Sequence, residues 1–123
     1  MLDYSNTQEA TMSKPNIDMK IYELQAEISK VLAHPIRLAI LHSLKDGEKT
    51  VNDLTELIGA SQSNVSQHLA LMRQRDIVKT RKEGATIYYH LASPKIGQAC
   101  DMIRELLMEQ LNQRQEMAKF LSL

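Results

Sequence analysis

The 123 residues suffice for one domain with a single core of moderate size, and their formal net charge is zero. With 43% hydrophobic and 24% charged residues, the composition is that of a globular chain with no apolar run of the roughly 18 residues that a membrane helix requires. The start, MLDYSNTQEATMSKPN, lacks the basic-then-apolar order of a signal peptide, and the one cysteine, Cys100, excludes an internal disulfide. A cytoplasmic protein without membrane partners is expected. Four Tyr, one Phe and no Trp leave the core to Leu, Ile, Val, Ala and Met, which suits helix-on-helix packing.

Residues 1–15 have no apolar period and are expected to form a mobile tail ahead of one domain over 16–123. Ile17, Ile21, Leu24, Ile28, Val31 and Leu32 recur at helical spacing and predict a first helix over 17–32. His34-Pro35 interrupts it, with the proline suited to the first position of a new helix. The second helix carries Ile36, Leu38, Ile40, Leu41 and Leu44, and ends at Lys45-Asp46-Gly47.

Thr50 and Asp53 approximate a capping box for a third helix with Val51, Leu54, Leu57 and Ile58 on its apolar face. Gly59 stands where a left-handed terminating residue is needed. Ser61 is then the N-cap of a fourth helix through about Arg75, with Val65, Leu69 and Met72 inward and Leu71 alongside. Two strand-like runs follow, Ile77–Arg81 and Ala85–Leu91, with Lys82-Glu83-Gly84 expected at the hairpin tip. Ser93-Pro94 opens a last helix over 94–118 that carries Ile96, Ala99, Cys100, Ile103, Leu106, Leu107 and Leu111 and frays toward Phe120 and Leu121.

Helix, turn and helix followed by a two-stranded hairpin make a winged helix-turn-helix layout, mainly α with a β-hairpin wing. The chemistry resides in the fourth helix. Its outer face is expected to be Gln62, Ser63, Asn64, Ser66, Gln67 and His68, amides and hydroxyls with no acid among them. An exposed helix face normally carries Glu and Lys pairs. Base edges in a DNA major groove present donors and acceptors, which amides and hydroxyls match, and phosphates would repel a carboxylate placed there. Any one of these residues alone is ordinary polar surface, and Ser61 is a helix cap whatever else it does. Their position after a Gly turn and before a basic hairpin makes the combination specific.

Charge placement agrees. Residues 61–90 hold Arg73, Arg75, Lys79, Arg81 and Lys82 against Asp76 and Glu83, a local net of +3 within a neutral chain. Arg73, Arg81 and Lys82 are expected to clamp the phosphate backbone of double-stranded DNA. The chain has no Gly-rich phosphate loop, no metal-ligand set and no activated nucleophile pattern, so neither an enzyme nor a cofactor is expected.

The stretch VLAHPIRLAILHSL with VNDLTELIGASQSNVSQHLALMRQRDIVKTRKEGATIYYHL resembles the ArsR/SmtB family of metal-responsive winged-helix repressors. The resemblance covers Val31 to Leu91 and rests on Leu32-Ala33, Pro35, Arg37 and Ile40-Leu41, on Ser61-Gln62-Ser63, Ser66, His68-Leu69 and Leu71, and on Gly84 with Tyr88-Tyr89. It implies a homodimer joined through its first and last helices, an operator with two-fold symmetry, and repression until an effector arrives. The apolar stripes of the two terminal helices, 17–32 and 94–118, exceed what the small core can bury and support that dimer independently.

The family's metal sites do not carry over. Where one has two cysteines ahead of an Asp-Leu pair, this chain has Thr50 and Asn52; where the other has Asp, His, His and Glu, it has Ser93, Lys95, Leu106 and Glu109. No thiolate or imidazole is available there for a soft metal or zinc. His34 suits a cap or turn, His42 a helix near the core edge and His90 a strand, none of them a metal ligand. Cys100 is either a small packed hydrophobe or a thiol sensor near the dimer axis, and the sequence leaves both open. An effector-independent regulator and a helical dimer that docks on protein without reading DNA remain the alternatives.

Overall fold

The computed structural model of the protein describes residues 17–114 together with Lys119. The expected tail over 1–15 and the expected fraying at Phe120 and Leu121 lie outside the described residues, as do residues 115–118 of the expected last helix. The chain divides into two compact units, the first ending at Lys30 and the second beginning at Val31. Among the described residues, no helix is long and apolar enough to cross a membrane.

Helix α1 spans Met19–Leu32. It starts two residues later than the apolar period suggests because Asp18 caps it: the Asp18 carboxylate accepts from the Lys20 backbone N–H at 3.0 Å. In the first unit the apolar residues Ile17, Met19, Ile21, Tyr22, Leu24 and Ile28 are all exposed.

The second unit opens on the end of α1 and continues with α2, Pro35–Ser43. His34 caps α2, its Nδ1 accepting from the Ile36 N–H at 3.1 Å, while Pro35 fills the position whose N–H would have no partner. Helix α3, Val51–Ile58, begins with the expected capping box: Asp53 N–H donates to Thr50 Oγ1, and Thr50 N–H to Asp53 Oδ2, each at 3.1 Å. It ends at Gly59, whose φ of 77° is the left-handed conformation predicted for it.

Helix α4, Gln62–Gln74, is capped by Ser61, whose Oγ accepts from the Asn64 N–H at 3.1 Å. Its far end is a Schellman motif. Ile77 N–H donates to Met72 O at 2.8 Å and Asp76 N–H to Arg73 O at 3.1 Å, with Asp76 left-handed at φ 60°. Ile77 is thereby delivered into the core.

Strands β1, Val78–Glu83, and β2, Thr86–Leu91, pair antiparallel with Val78 opposite Leu91 and Glu83 opposite Thr86. The hairpin is tighter than expected. Lys82 and Glu83 lie within β1, and only Gly84 and Ala85 form the turn. Gly84 has φ 62° at the first turn position, as in a type II′ turn, whose hand matches the twist of the strands. Lys49, between α2 and α3, bridges to β2: its N–H donates to Tyr89 O at 3.0 Å, and its carbonyl accepts from the Tyr89 N–H at 2.8 Å. The wing is thus tied to the helical body by backbone bonds.

Helix α5, Pro94–Gln113, is capped by Ser93 and packs back on the unit through Gly97, where an added Cβ would come within 3.1 Å of the Lys45 stem and 3.3 Å of Leu91. Lys45 also pairs with Asp101 at 2.7 Å. Ile40, Leu41, Leu54, Val65, Leu69, Met72 and Val78 form the fully buried centre, with Leu91, Ile96 and Cys100 packed around it. Leu57, expected on the apolar face of α3, is 62% exposed. Helix α3 is short and turns only the side bearing Leu54 inward, so Leu57 falls beyond the reach of the core.

Candidate nucleic-acid interface

Burial of Val65, Leu69 and Met72 fixes the roll of α4, and with it which residues face outward. Gln62, Ser63, Asn64, Ser66 and Gln67 are all exposed, as are Ala70 and Arg73. Ser61 is exposed too; its oxygen is occupied by the cap, which leaves its proton to donate. The first turn holds no acid, so the positive end of the helix dipole is uncancelled beside these side chains. Five outward amides and hydroxyls within the first two turns form a surface rich in both donors and acceptors, as base edges demand.

His68 does not belong to that face. It is half-buried, tilted against the His34 ring at 4.3 Å between centroids, with its Nδ1 3.2 Å from Arg37 Nη1. A guanidinium can only donate, so Nδ1 accepts and the imidazole is neutral. Burial first, then the charges of His34 and Arg37, hold its pKa below the ordinary histidine value. Arg37 in turn donates through Nε to the Val31 carbonyl near the end of α1. Periodicity missed this because His68 lies one position before Leu69, at the border between the two faces. The expectation that His68 lies on the outer face is corrected: it is half-buried and fastens α4 to the head of α2.

Alternation along the wing places Lys79, Arg81 and Glu83 on one face with Thr86, Tyr88 and His90. The other face, with Val78, Thr80, Tyr89 and Leu91, leans on the core. Arg73, Arg75, Lys79 and Lys82 are exposed, and among the described residues they form no ion pair. Arg81 is in a different state. Its Nη2 and Nε donate to the two Glu48 oxygens at 2.6 and 3.0 Å, its Nη1 lies 3.4 Å from Glu83, and its Cζ sits 4.7 Å over the Tyr88 ring. Hydrogen bonds from Arg81 hold the Glu48 carboxyl below its ordinary pKa. Sequence reasoning overlooked Arg75 and Lys79 as free cations and Glu48 as a partner. The first two were visible in the charge count, whereas Glu48 is 33 residues from Arg81 and had no local signal.

Cys100 is half-buried on α5 against the core, and burial, followed by the Asp101 charge, raises its thiol pKa. Among the described residues, no group of three or more His, Cys, Asp or Glu side chains is placed to hold a metal ion.

Residues 34–80 match the model of the bacterial regulatory protein arsR family. The chain is 35% identical over 95 residues to the uncharacterized HTH-type transcriptional regulator Rv0081 of Mycobacterium tuberculosis, spanning 76% of this chain and 83% of that one. The Rv0081 crystal structure superposes with a TM-score of 0.68 over 83% of this chain and 98% of that one, at 34% identity. The biofilm growth-associated repressor of Xylella fastidiosa is 31% identical over 102 residues, 83% of this chain and 89% of the relative. The fold is shared with the homodimeric winged helix-turn-helix DNA-binding domain Mb0332 of Mycobacterium bovis, at a TM-score of 0.70 over 82% of this chain and 94% of that one, with 24% identity. Helix-turn-helix, wing, sequence and relatives agree, and the chain belongs to the arsR family of DNA-binding transcriptional regulators.

Proposed function

We propose that the protein is a homodimeric repressor that reads an operator of two-fold symmetry, acting by binding and not by catalysis. The observation that carries this reading is the outer face of α4, where Gln62, Ser63, Asn64, Ser66 and Gln67 stand exposed with no carboxylate beside them. Inserted in the major groove, the N-terminal half of that helix would present amides to base edges while Arg73, Lys79 and Lys82 contact phosphates. Two features support the dimer: the exposed apolar residues of α1, and Met102, Ile103, Leu106 and Leu107 exposed on α5. The Mb0332 domain is homodimeric, and a second copy covering these stripes would give this chain the same state. The Xylella relative, named a repressor, supports the direction of control.

Cys100 enters this reading as a packing residue. Its raised pKa disfavours the thiolate that oxidation or persulfidation requires, so control through the protein's abundance or a protein partner fits better than a thiol switch.

The test is titration of labelled DNA from upstream of the protein's own gene against scrambled DNA of equal length. A preference of about a thousandfold or more is expected for one fragment. Gln67→Ala should lose about 1–3 kcal/mol of it while binding scrambled DNA as before. Equal affinity for every fragment would sink the operator reading. Transcription that rises on binding would reverse the sign of control at the same site.

A further inference from the structure

Arg81 is the one cation of the segment 73–82 that an acidic partner engages; its neighbours Arg73, Arg75, Lys79 and Lys82 have none among the described residues. The engagement is built by the fold. The Lys49–Tyr89 backbone bridge holds the segment before α3 alongside β2, so Glu48 stands at the edge of the wing's outer face. Arg81 lies opposite Tyr88 in the hairpin register and reaches across that ring to the carboxylate. Both Glu48 oxygens and a Glu83 oxygen then occupy the guanidinium edge that would otherwise grip a phosphate.

We propose that Glu48 sets the strength of the wing's grip on DNA by competing with phosphate for Arg81. This rests on the reading of the protein as an operator-binding regulator. With side-chain exposures of 45% and 37%, Arg81 and Glu48 are solvated, so exchange of one anion for another is cheap. Arg81 must nevertheless give up its paired bonds to Glu48 before it can grip a phosphate, which offsets part of that contact. The net gain from Arg81 is therefore smaller than that from an unpaired cation such as Lys82.

The experiment measures affinity for promoter-fragment and scrambled DNA against salt, for wild type, Glu48→Gln, Arg81→Gln and the double variant. Glu48→Ala serves as a second route to the same charge loss, and thermal melts confirm folding. Glu48→Gln should tighten binding about three- to tenfold near 0.1 M salt and steepen the log–log salt slope by about 1, as one added phosphate contact requires. In the Arg81→Gln background the same change should have less than about a twofold effect and leave the slope alone. An unchanged slope, or equal tightening with and without Arg81, would mean that Glu48 merely repels DNA at a distance and would overturn the proposal. Wild type that prefers its promoter while Glu48→Gln binds no better overturns this inference alone. Wild type that binds no DNA overturns both readings.

Discussion

The rings of His34 and His68 lie 4.3 Å apart at a tilt of 43°, and the Nδ1 of each faces a donor from the first turn of α2, the Ile36 N–H and the Arg37 guanidinium. Helix α4 is thus docked through a neutral imidazole. His68 binds protons less readily in the folded protein than its ordinary value of 6.5, because it is buried and faces His34 and Arg37. Its contribution to stability is therefore complete above about pH 6.5 and is lost as the pH falls from there through the lowered folded-state value. Wild type should melt at lower temperature at pH 5.5 than at 7.5. His68→Gln should be less stable than wild type by about 0.5–1.5 kcal/mol at pH 7.5 and should lose less on acidification. Thermal denaturation at the two pH values decides it; equal acid losses in both proteins would show that other groups dominate.

Asp76 occupies the left-handed position of the Schellman motif at the end of α4, at φ 60°, where glycine is usual. An aspartate tolerates that conformation at some steric cost, which glycine removes. Asp76→Gly should raise stability by about 0.5–1 kcal/mol, and Asp76→Val should lower it by more than that. Denaturant titration reads both. Destabilisation by glycine would mean that the Asp76 side chain contributes more than its backbone strain costs.

Much of this fold is legible in the sequence because its helix ends are chemically marked. His34-Pro35, Thr50 with Asp53, Gly59, Ser61 and Ser93-Pro94 each satisfy or permit a backbone arrangement locally, and each terminus falls within two residues of its mark. The hairpin tip was less legible, since Lys82 and Glu83 carry turn-compatible side chains although Gly84 alone needs a positive φ. The outward amides of α4 followed from periodicity. What periodicity could not supply were the tertiary polar contacts, Arg37 with His68 and Glu48 with Arg81, which join residues 31 and 33 positions apart. Both alter the candidate site: one removes His68 from the reading face, and the other occupies a cation that composition counted as free.

Leu106 tests the dimer without disturbing the core of one copy. It is 53% exposed on α5, beside Ile103 and Leu107, whereas the contact of α5 with its own core is made earlier in the helix, through Ile96, Gly97 and Cys100. A carboxylate at position 106 should therefore cost the isolated chain little. At an interface between copies it would be buried without a partner, at a cost of several kcal/mol. Leu106→Glu is expected to keep the helical circular dichroism of wild type, sediment at half its mass and lose promoter binding, because a monomer presents only one α4 to the proposed two-fold operator. If the variant sediments with wild type, the α5 stripe is not an interface between copies.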